Sequence, residues 1–330
     1  PAAVQGARRA LRSRSSSGGG SGSRRAAPRA SGVVVTGGTR GIGRALAAAI
    51  LAEGSDVLVT GRDGAAAAEA AESLNSAAAA GARARAHACA CDVGDAASVE
   101  ALGVAALQAF GAPPAAWVCN AGTNGYVYAD LVDMDAATVA AVVAANSVGT
   151  LLCAREALRG GAAHVFLMEG AGSGGEPTRK YAAYGYSKAG YRQLISSLNS
   201  ELKASGSSQK VHALSPGLVR TEMTSPGADA FGSTGRFFVN AVAEEPEDVA
   251  AYLAPRVVRV ARGGDMSELE GENSLSRAAA SARGHERIEF LTPPRLLAKV
   301  ARRLALGENK DRYSPEDDAE FEAARKRESE

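Results

Sequence analysis

Tyr184 and Lys188 stand four residues apart in the run YGYSK, a spacing that puts a phenol and an ammonium on one face of a helix. A phenol titrates near 10 in water, too high to exchange protons readily at neutral pH. A neighbouring ammonium favours the phenolate and can bring that value toward the working range. A shift of about three units corresponds to about 4 kcal/mol, within reach of one close cation in a dry site together with the charge of a bound cofactor. Tyr184 could then hand a proton to a carbonyl oxygen as hydride reaches the carbon, while Lys188 also holds a ribose. Tyr181, Tyr186 and Tyr191 crowd the same stretch, so the pair gains its meaning from what precedes it.

What precedes it is a glycine loop, Thr36-Gly37-Gly38-Thr39-Arg40-Gly41-Ile42-Gly43, set between the apolar run Val33-Val34-Val35 and an Ala/Leu-rich stretch. Gly37 permits the sharp turn, Gly41 lets backbone approach a phosphate, and Gly43 lets the following helix lie close to the sheet. The helix N-terminus offers N–H groups and positive dipole to a pyrophosphate. Gly37, Thr39, Arg40, Gly41, Ile42 and Gly43 are therefore expected to face a dinucleotide. Strand two ends Thr60-Gly61-Arg62, without the carboxylate that a ribose 2′-hydroxyl would require. Arg62 and Arg40 instead offer two guanidiniums to a 2′-phosphate, so NADPH is the expected cofactor. Asp63, one position on, argues the other way. Asp92 is placed to accept from the adenine amine, or else Asp92 or Asp95 caps the next helix. Asn120-Ala121-Gly122 closes strand four as the floor of the cleft or as an ordinary turn.

The elements that must position these residues alternate. Short apolar strands near 33–35, 57–59, 83–91, 116–119, 165–168 and 211–214 are separated by helices near 44–53, 65–74, 95–110, on either side of Asn146, and 182–203. That alternation predicts an α/β fold with a doubly wound parallel sheet. Apolar residues make up 46% of the 330, enough for a large core, and the net charge of +1 argues against wholesale nucleic-acid binding. Cys89, Cys91, Cys119 and Cys153 fall in strands and a helix, as small apolar fillers rather than a disulfide framework. His87-x-Cys89-x-Cys91 reads as alternation on a buried strand rather than a zinc site, and no metal is expected. No uninterrupted apolar run of about 18 residues occurs, so a membrane-spanning helix is not expected.

In order and spacing, TGxxxGxG, NAG, a helix asparagine, YxxxK and PG resemble the short-chain dehydrogenase/reductase family over residues 31–221. The resemblance implies that Asn146 anchors a water for proton relay, and that Pro216-Gly217 through Thr221 close over the nicotinamide amide. One departure stands out. The family normally places a serine at the end of strand five, where this chain reads Met168-Glu169-Gly170-Ala171-Gly172-Ser173. Ser173 is the nearest hydroxyl, either reaching the substrate oxygen or serving as a turn residue. MEGAGSGGEPTRKYAAYGYSK, NAGTNGYVYADL, SPGLVRTEM, RFFVNAVAEEPEDVAAYLAPRV and the run at 302–307 are together similar to the chlorophyll b reductases, over about 32–312. That likeness implies NADPH-dependent reduction of the formyl group of chlorophyll b or chlorophyllide b. It also implies a soluble, peripheral thylakoid type on the stromal side, with a membrane-spanning paralogue or a second copy as partner. The alternatives are another plastid reductase, such as one acting on 3-oxoacyl-acyl-carrier-protein, and an inactive member of the fold.

Residues 1–31 carry seven arginines among Ser, Ala and Gly and no acid, the composition of a chloroplast transit segment. The chain begins at Pro1, which points to a start further upstream. The catalytic domain is expected over 32–265, followed by an extension over 266–330. A lid with Phe231, Phe237 and Phe238 is expected within 225–240, a further helix over 246–260, and a polar mobile stretch at 267–287. In 294–306, Leu296, Leu297, Val300 and Leu304 form one stripe with Arg295, Lys299, Arg302 and Arg303 elsewhere. Such a helix packs on its own domain or lies on an anionic membrane surface; the first is favoured. A charged, solvated tail follows.

Overall fold

In a computed structural model, the described residues are 32–79, 81–224, 237, 239–264 and 287–306. The strands are β1 (Val33–Val35), β2 (Val57–Gly61), β3 (Ala86–Ala90), β4 (Ala116–Cys119), β5 (His164–Met168), β6 (Lys210–Ser215) and β7 (Arg287–Glu289). They form one sheet, wholly parallel, in the order β3-β2-β1-β4-β5-β6-β7. The winding reverses between β1 and β4, and at such a switch point a cleft opens beyond the carboxyl ends of the strands. The helices are α1 (Gly41–Ala52), α2 (Gly64–Ala77), α3 (Ala96–Phe110), α4 (Ala136–Val143), α5 (Gly149–Gly160), α6 (Ala182–Ala189), α7 (Tyr191–Ala204), α8 (Pro246–Ala261) and α9 (Pro293–Leu306).

Alternate side chains of the valine triplet serve opposite layers. Val33 and Val35 pack with Leu46, Ile50 and Leu253 from α1 and α8, whereas Val34 joins Leu58, Leu102, Trp117 and Leu167 on the other face. A strand apolar on both sides is what a central parallel position demands. Asp63 caps α2 by accepting from Ala65 N and Ala66 N, and Asp95 caps α3 by accepting from Ser98 N.

Several expectations change. β3 lies at the sheet edge with Ala88 and Ala90 exposed, His87 and Cys89 half-buried and Cys91 buried, so the alternation is present on a strand buried on one face only. The long helix expected over 182–203 runs as two segments meeting at Gly190, a residue of poor helix propensity. Arg287 begins β7, which pairs Arg287-Ile288-Glu289 with Ala213-Leu214-Ser215. The apolar stripe of α9 is split: Leu297 and Leu304 are each 71% exposed, and no α9 residue is buried.

The expectation about spanning helices also needs amending. Residues Ala136–Gly160 form one continuous helical run containing an 18-residue window of mean hydropathy 1.8, long and apolar enough by length and composition to cross a membrane. In this fold its Asn146, Thr150, Cys153 and Ala157 are buried inward, so the run also serves as a flank of the sheet. The leader, Phe231, Phe238, residues 267–286 and the tail after 306 lie outside the described residues.

Candidate active site

The cleft, about 2540 Å³ in volume, is floored by the turn from β1 into α1. Gly37 (φ +66°) and Gly41 (φ +53°) occupy left-handed backbone, and a Cβ on Gly43 would lie 2.1 Å from Gly37 O. Asn120 locks this turn: its Nδ2 donates to Thr36 O (2.9 Å) and Gly37 O (3.1 Å). Thr36 Oγ1 accepts from the amides of Asn120 (3.0 Å) and Ala121 (3.1 Å). Sequence reasoning passes over Thr36, yet its hydroxyl is what welds the end of β4 to the glycine loop.

Around this floor the charged residues settle differently from expectation. The Arg40 guanidinium reaches Glu222 at 2.7 Å and donates to Tyr126 Oη at 2.5 Å. Arg40 therefore bridges the cleft toward the loop after β6 instead of joining Arg62 at a 2′-phosphate, because Glu222 offers it a carboxylate. Arg62 is exposed at the cleft rim, next to Thr39 and Gly61. The carboxylate of Asp63 is committed to its helix cap. Asp92 lines the cleft and accepts from Gly94 N at 2.9 Å, leaving the helix cap to Asp95. Ile42, in the first turn of α1, lines the cleft and packs half-buried against the core.

Tyr184 and Lys188 line the same cleft, with the Lys188 Nζ 5.9 Å from the Tyr184 ring centroid. Burial pushes the Tyr184 phenol above its ordinary value; Lys188 pulls the other way and does not prevail. In the protein alone the direction is opposite to the one expected with the cofactor's charge added, because desolvation of a buried phenolate outweighs one cation 5.9 Å from the ring centroid. Burial likewise lowers the Lys188 ammonium, opposed by Tyr184, Cys119 and Glu169. Nζ of Lys188 donates to Met168 O and to Tyr191 Oη, both at 3.0 Å. The i,i+3 spacing of Lys188 and Tyr191 is the one sequence signal of that second contact.

Asn146 sits in a single π turn, Ala144–Val148, between α4 and α5, the kind of irregularity that often marks a functional position. Its side chain accepts from Thr123 N (2.8 Å) and donates to Thr123 O and Ser187 Oγ (both 2.8 Å), while its own carbonyl accepts from Tyr191 Oη (2.7 Å). Where the resemblance implies a bridging water on Asn146, a tyrosine hydroxyl holds the carbonyl. At the end of β5, a Cβ on Gly170 would stand 2.3 Å from Tyr184 Oη, so no side chain fits at that glycine unless Tyr184 moves. Ser173 is buried at the cleft wall, its Oγ accepting from Gly170 N at 3.0 Å. On the far side, Pro216, Gly217 and Thr221 line the cleft, and Asn124 Nδ2 ties the opposite wall to Met223 O at 2.7 Å. Leu291 lies so close to Gly217 that a Cβ there would meet it at 2.6 Å.

A family model described as short chain dehydrogenase matches residues 31–230. The chain belongs to the short-chain dehydrogenase family. It is thus an oxidoreductase, and its fold takes a nicotinamide cofactor. This dehydrogenase is 33% identical over 293 residues to chlorophyll(ide) b reductase NOL, chloroplastic, of Arabidopsis thaliana, covering 86% of this chain and 77% of that one. Among solved structures it resembles a metagenomic short-chain oxidoreductase in complex with NADP, with a TM-score of 0.53, 26% identity, and 71% and 94% coverage. It also resembles a 3-oxoacyl-[acyl-carrier protein] reductase from Brucella melitensis in complex with NAD, with a TM-score of 0.60, 23% identity, and 79% and 96% coverage. Similarity of that order to the second structure speaks to the fold.

Proposed function

We propose that this short-chain dehydrogenase reduces the formyl group on ring B of chlorophyll b or chlorophyllide b to a hydroxymethyl group, using NADPH. The observation that carries the reading is the extent of the likeness to the Arabidopsis reductase. It runs over 293 residues, well past the 31–230 of the family model, so it includes the later region that the general fold does not require. The unusual MEGAGSGG wall of the cleft, with Gly170 against Tyr184 Oη, supports a specialised member rather than a general ketone reductase.

The residues present fit the cofactor. The left-handed glycines and the absence of any room for a Cβ at Gly43 make the close backbone approach that a pyrophosphate needs. Arg62 at the rim is the partner for a 2′-phosphate, with Asp63 withdrawn into its cap. Asp92 faces the adenine end, and Lys188, Asn120, Pro216, Gly217 and Thr221 border the nicotinamide end. Bound in this cleft, NADPH supplies the hydride that the carbonyl carbon accepts. Tyr184 gives its proton to the oxygen that becomes the alcohol. Lys188 holds the ribose and lends positive charge to the phenol as its proton leaves. Ser173 takes the role of the displaced strand-five serine, donating to the substrate oxygen, and Asn146 fixes the wall on which Lys188 rests.

The arginine-rich, acid-poor leader and the chloroplastic relative support a chloroplast location, and the stromal side of the thylakoid membrane is the proposed place within it. A membrane-spanning paralogue or a second copy is the proposed partner. Incubation of the recombinant protein with NADPH and chlorophyll b or chlorophyllide b tests the reading. The formyl absorption band should disappear with one or both pigments; retention of the band with both, alongside turnover of a 3-oxoacyl thioester, would overturn it.

A further inference from the structure

Lys188, Tyr191, Asn146 and Thr150 form a closed, buried hydrogen-bonded cluster beside Tyr184. A lysine ammonium carries three N–H donors on a flexible stem and is intrinsically a poor pointer. Here two of the three are committed: Nζ donates to Met168 O at 3.0 Å and to Tyr191 Oη at 3.0 Å. Tyr191 is fixed in turn. Its hydroxyl donates to Asn146 O at 2.7 Å and lies 2.7 Å from Thr150 Oγ1. With its one proton spent on Asn146, Tyr191 Oη accepts from both Lys188 and Thr150, so the hydroxyl is held from three sides. Lys188 is 3% exposed and Tyr191 2%. The anchors come from three different elements, the end of β5, the π turn and α5, so no single helix motion carries the clamp away. Asn146 is itself immobilised by its bonds to Thr123 and Ser187.

We propose that Tyr191 is a positioning residue for Lys188, its hydroxyl pinning the ammonium to the Asn146 carbonyl so that the remaining N–H is delivered into the cleft toward Tyr184 and the cofactor ribose. The inference rests on the roles given to Tyr184 and Lys188 above. Tyr191 does not carry protons itself: burial raises its phenol far above neutrality, so it remains a neutral, fixed dipole. The other titratable groups facing Lys188 are Tyr184 from α6, Cys119 from β4 and Glu169 at the end of β5.

Tyr191→Phe keeps the ring and removes only the hydroxyl, which takes away one acceptor that stabilises the charged lysine. The fully protonated Tyr184/Lys188 pair then survives to a lower pH. Two readouts follow that a merely structural role would not move. The alkaline limb of kcat with chlorophyll b should shift down by about one pH unit, with kcat about tenfold lower and KM for pigment unchanged. The alkaline loss of NADPH affinity, followed by nucleotide fluorescence, should move in the same direction. Unshifted profiles in both would overturn the proposal, whatever happens to thermal stability. If Tyr191→Phe does not fold, Thr150→Val leaves the phenol in place but releases one of its ties. A smaller shift in the same direction is then expected, and an unmoved profile is again fatal. Tyr184→Phe run alongside separates the two levels. Persisting turnover in it removes the proton-donor reading, while the NADPH binding profile of Tyr191→Phe still decides the clamp.

Discussion

Burial raises the Tyr184 phenol, so the residue keeps its proton through the neutral range and depends on the Lys188 charge to favour its release to the substrate oxygen. The sign sets the pH dependence. A phenol raised above its usual value stays protonated through the neutral range, so kcat for reduction should be flat there and fall only on the alkaline side, as measured under saturating NADPH. A rate already declining as pH rises from about 5 to about 7 would instead mean that a carboxylate or histidine supplies the proton. Tyr184→Phe should lower kcat by about a hundredfold to ten-thousandfold and leave NADPH binding intact. At the other end of the cleft the roles of two neighbours separate cleanly. Arg62→Asp should turn cofactor preference toward NADH, read as the ratio of kcat/KM for the two nucleotides. Asp63→Ala should leave that ratio alone and cost about 0.5–2 kcal/mol of stability, because it removes only the cap of α2.

Elements extend this separation to the two ends of the sheet. β5 begins at His164 and ends at Met168 beside Lys188, so its first residue can titrate without touching the chemistry. His164 Nδ1 lies 3.0 Å from His212 Nε2 on β6, and burial with Lys210 nearby lowers the His164 value below 6.5. The unfolded chain then binds this proton more readily than the folded one. Stability conferred by neutral His164 is therefore present above about pH 6.5 and lost as pH falls through the lower, folded value. Thermal melts from about pH 7 to about pH 5 should show a falling Tm, and a shallower fall in His164→Gln; identical slopes would remove His164 as the source. Elements with strong local signals are also the ones legible in the sequence. β1, all valine, needs two apolar faces, and the glycine loop has a steric reason for each position. β7 is three residues long with one buried side chain, Ile288, too short for a period to register. The rotation of Arg40 to Glu222 depends on a partner 182 residues away, and the Lys188–Tyr191 contact depends on the π turn that brings Asn146 beneath it. No local pattern encodes the first, and the i,i+3 spacing of Lys188 and Tyr191 hints at the second without revealing the Asn146 carbonyl that fixes it.

At the scale of the whole molecule, the late part of the chain returns to the site through one buried carboxylate. Glu169 follows β5 directly, next to the Met168 carbonyl that holds Lys188, and is only 3% exposed. Its oxygens receive Arg192 Nε of α7 at 3.1 Å and Arg287 of β7 at 2.9 Å, and Arg287 also pairs with Glu289. Glu169 thus ties β5, α7 and β7 together across 118 residues of sequence. A buried ion pair is expensive to break on one side, because the remaining charge stays desolvated, and much less costly to replace on both. Arg192 is half exposed and continues to shield the carboxylate, which lowers the cost of losing Arg287 alone. Arg287→Met should therefore destabilise by about 1–3 kcal/mol in urea unfolding at neutral pH, with a falling kcat as the Met168 anchor loosens. Glu169→Met combined with Arg287→Met should recover most of that stability, since no carboxylate remains to be stranded and Arg192 can turn to water. A double variant no more stable than Arg287→Met would mean that β7 is held by its strand pairing and Ile288 rather than by the charge at the end of β5.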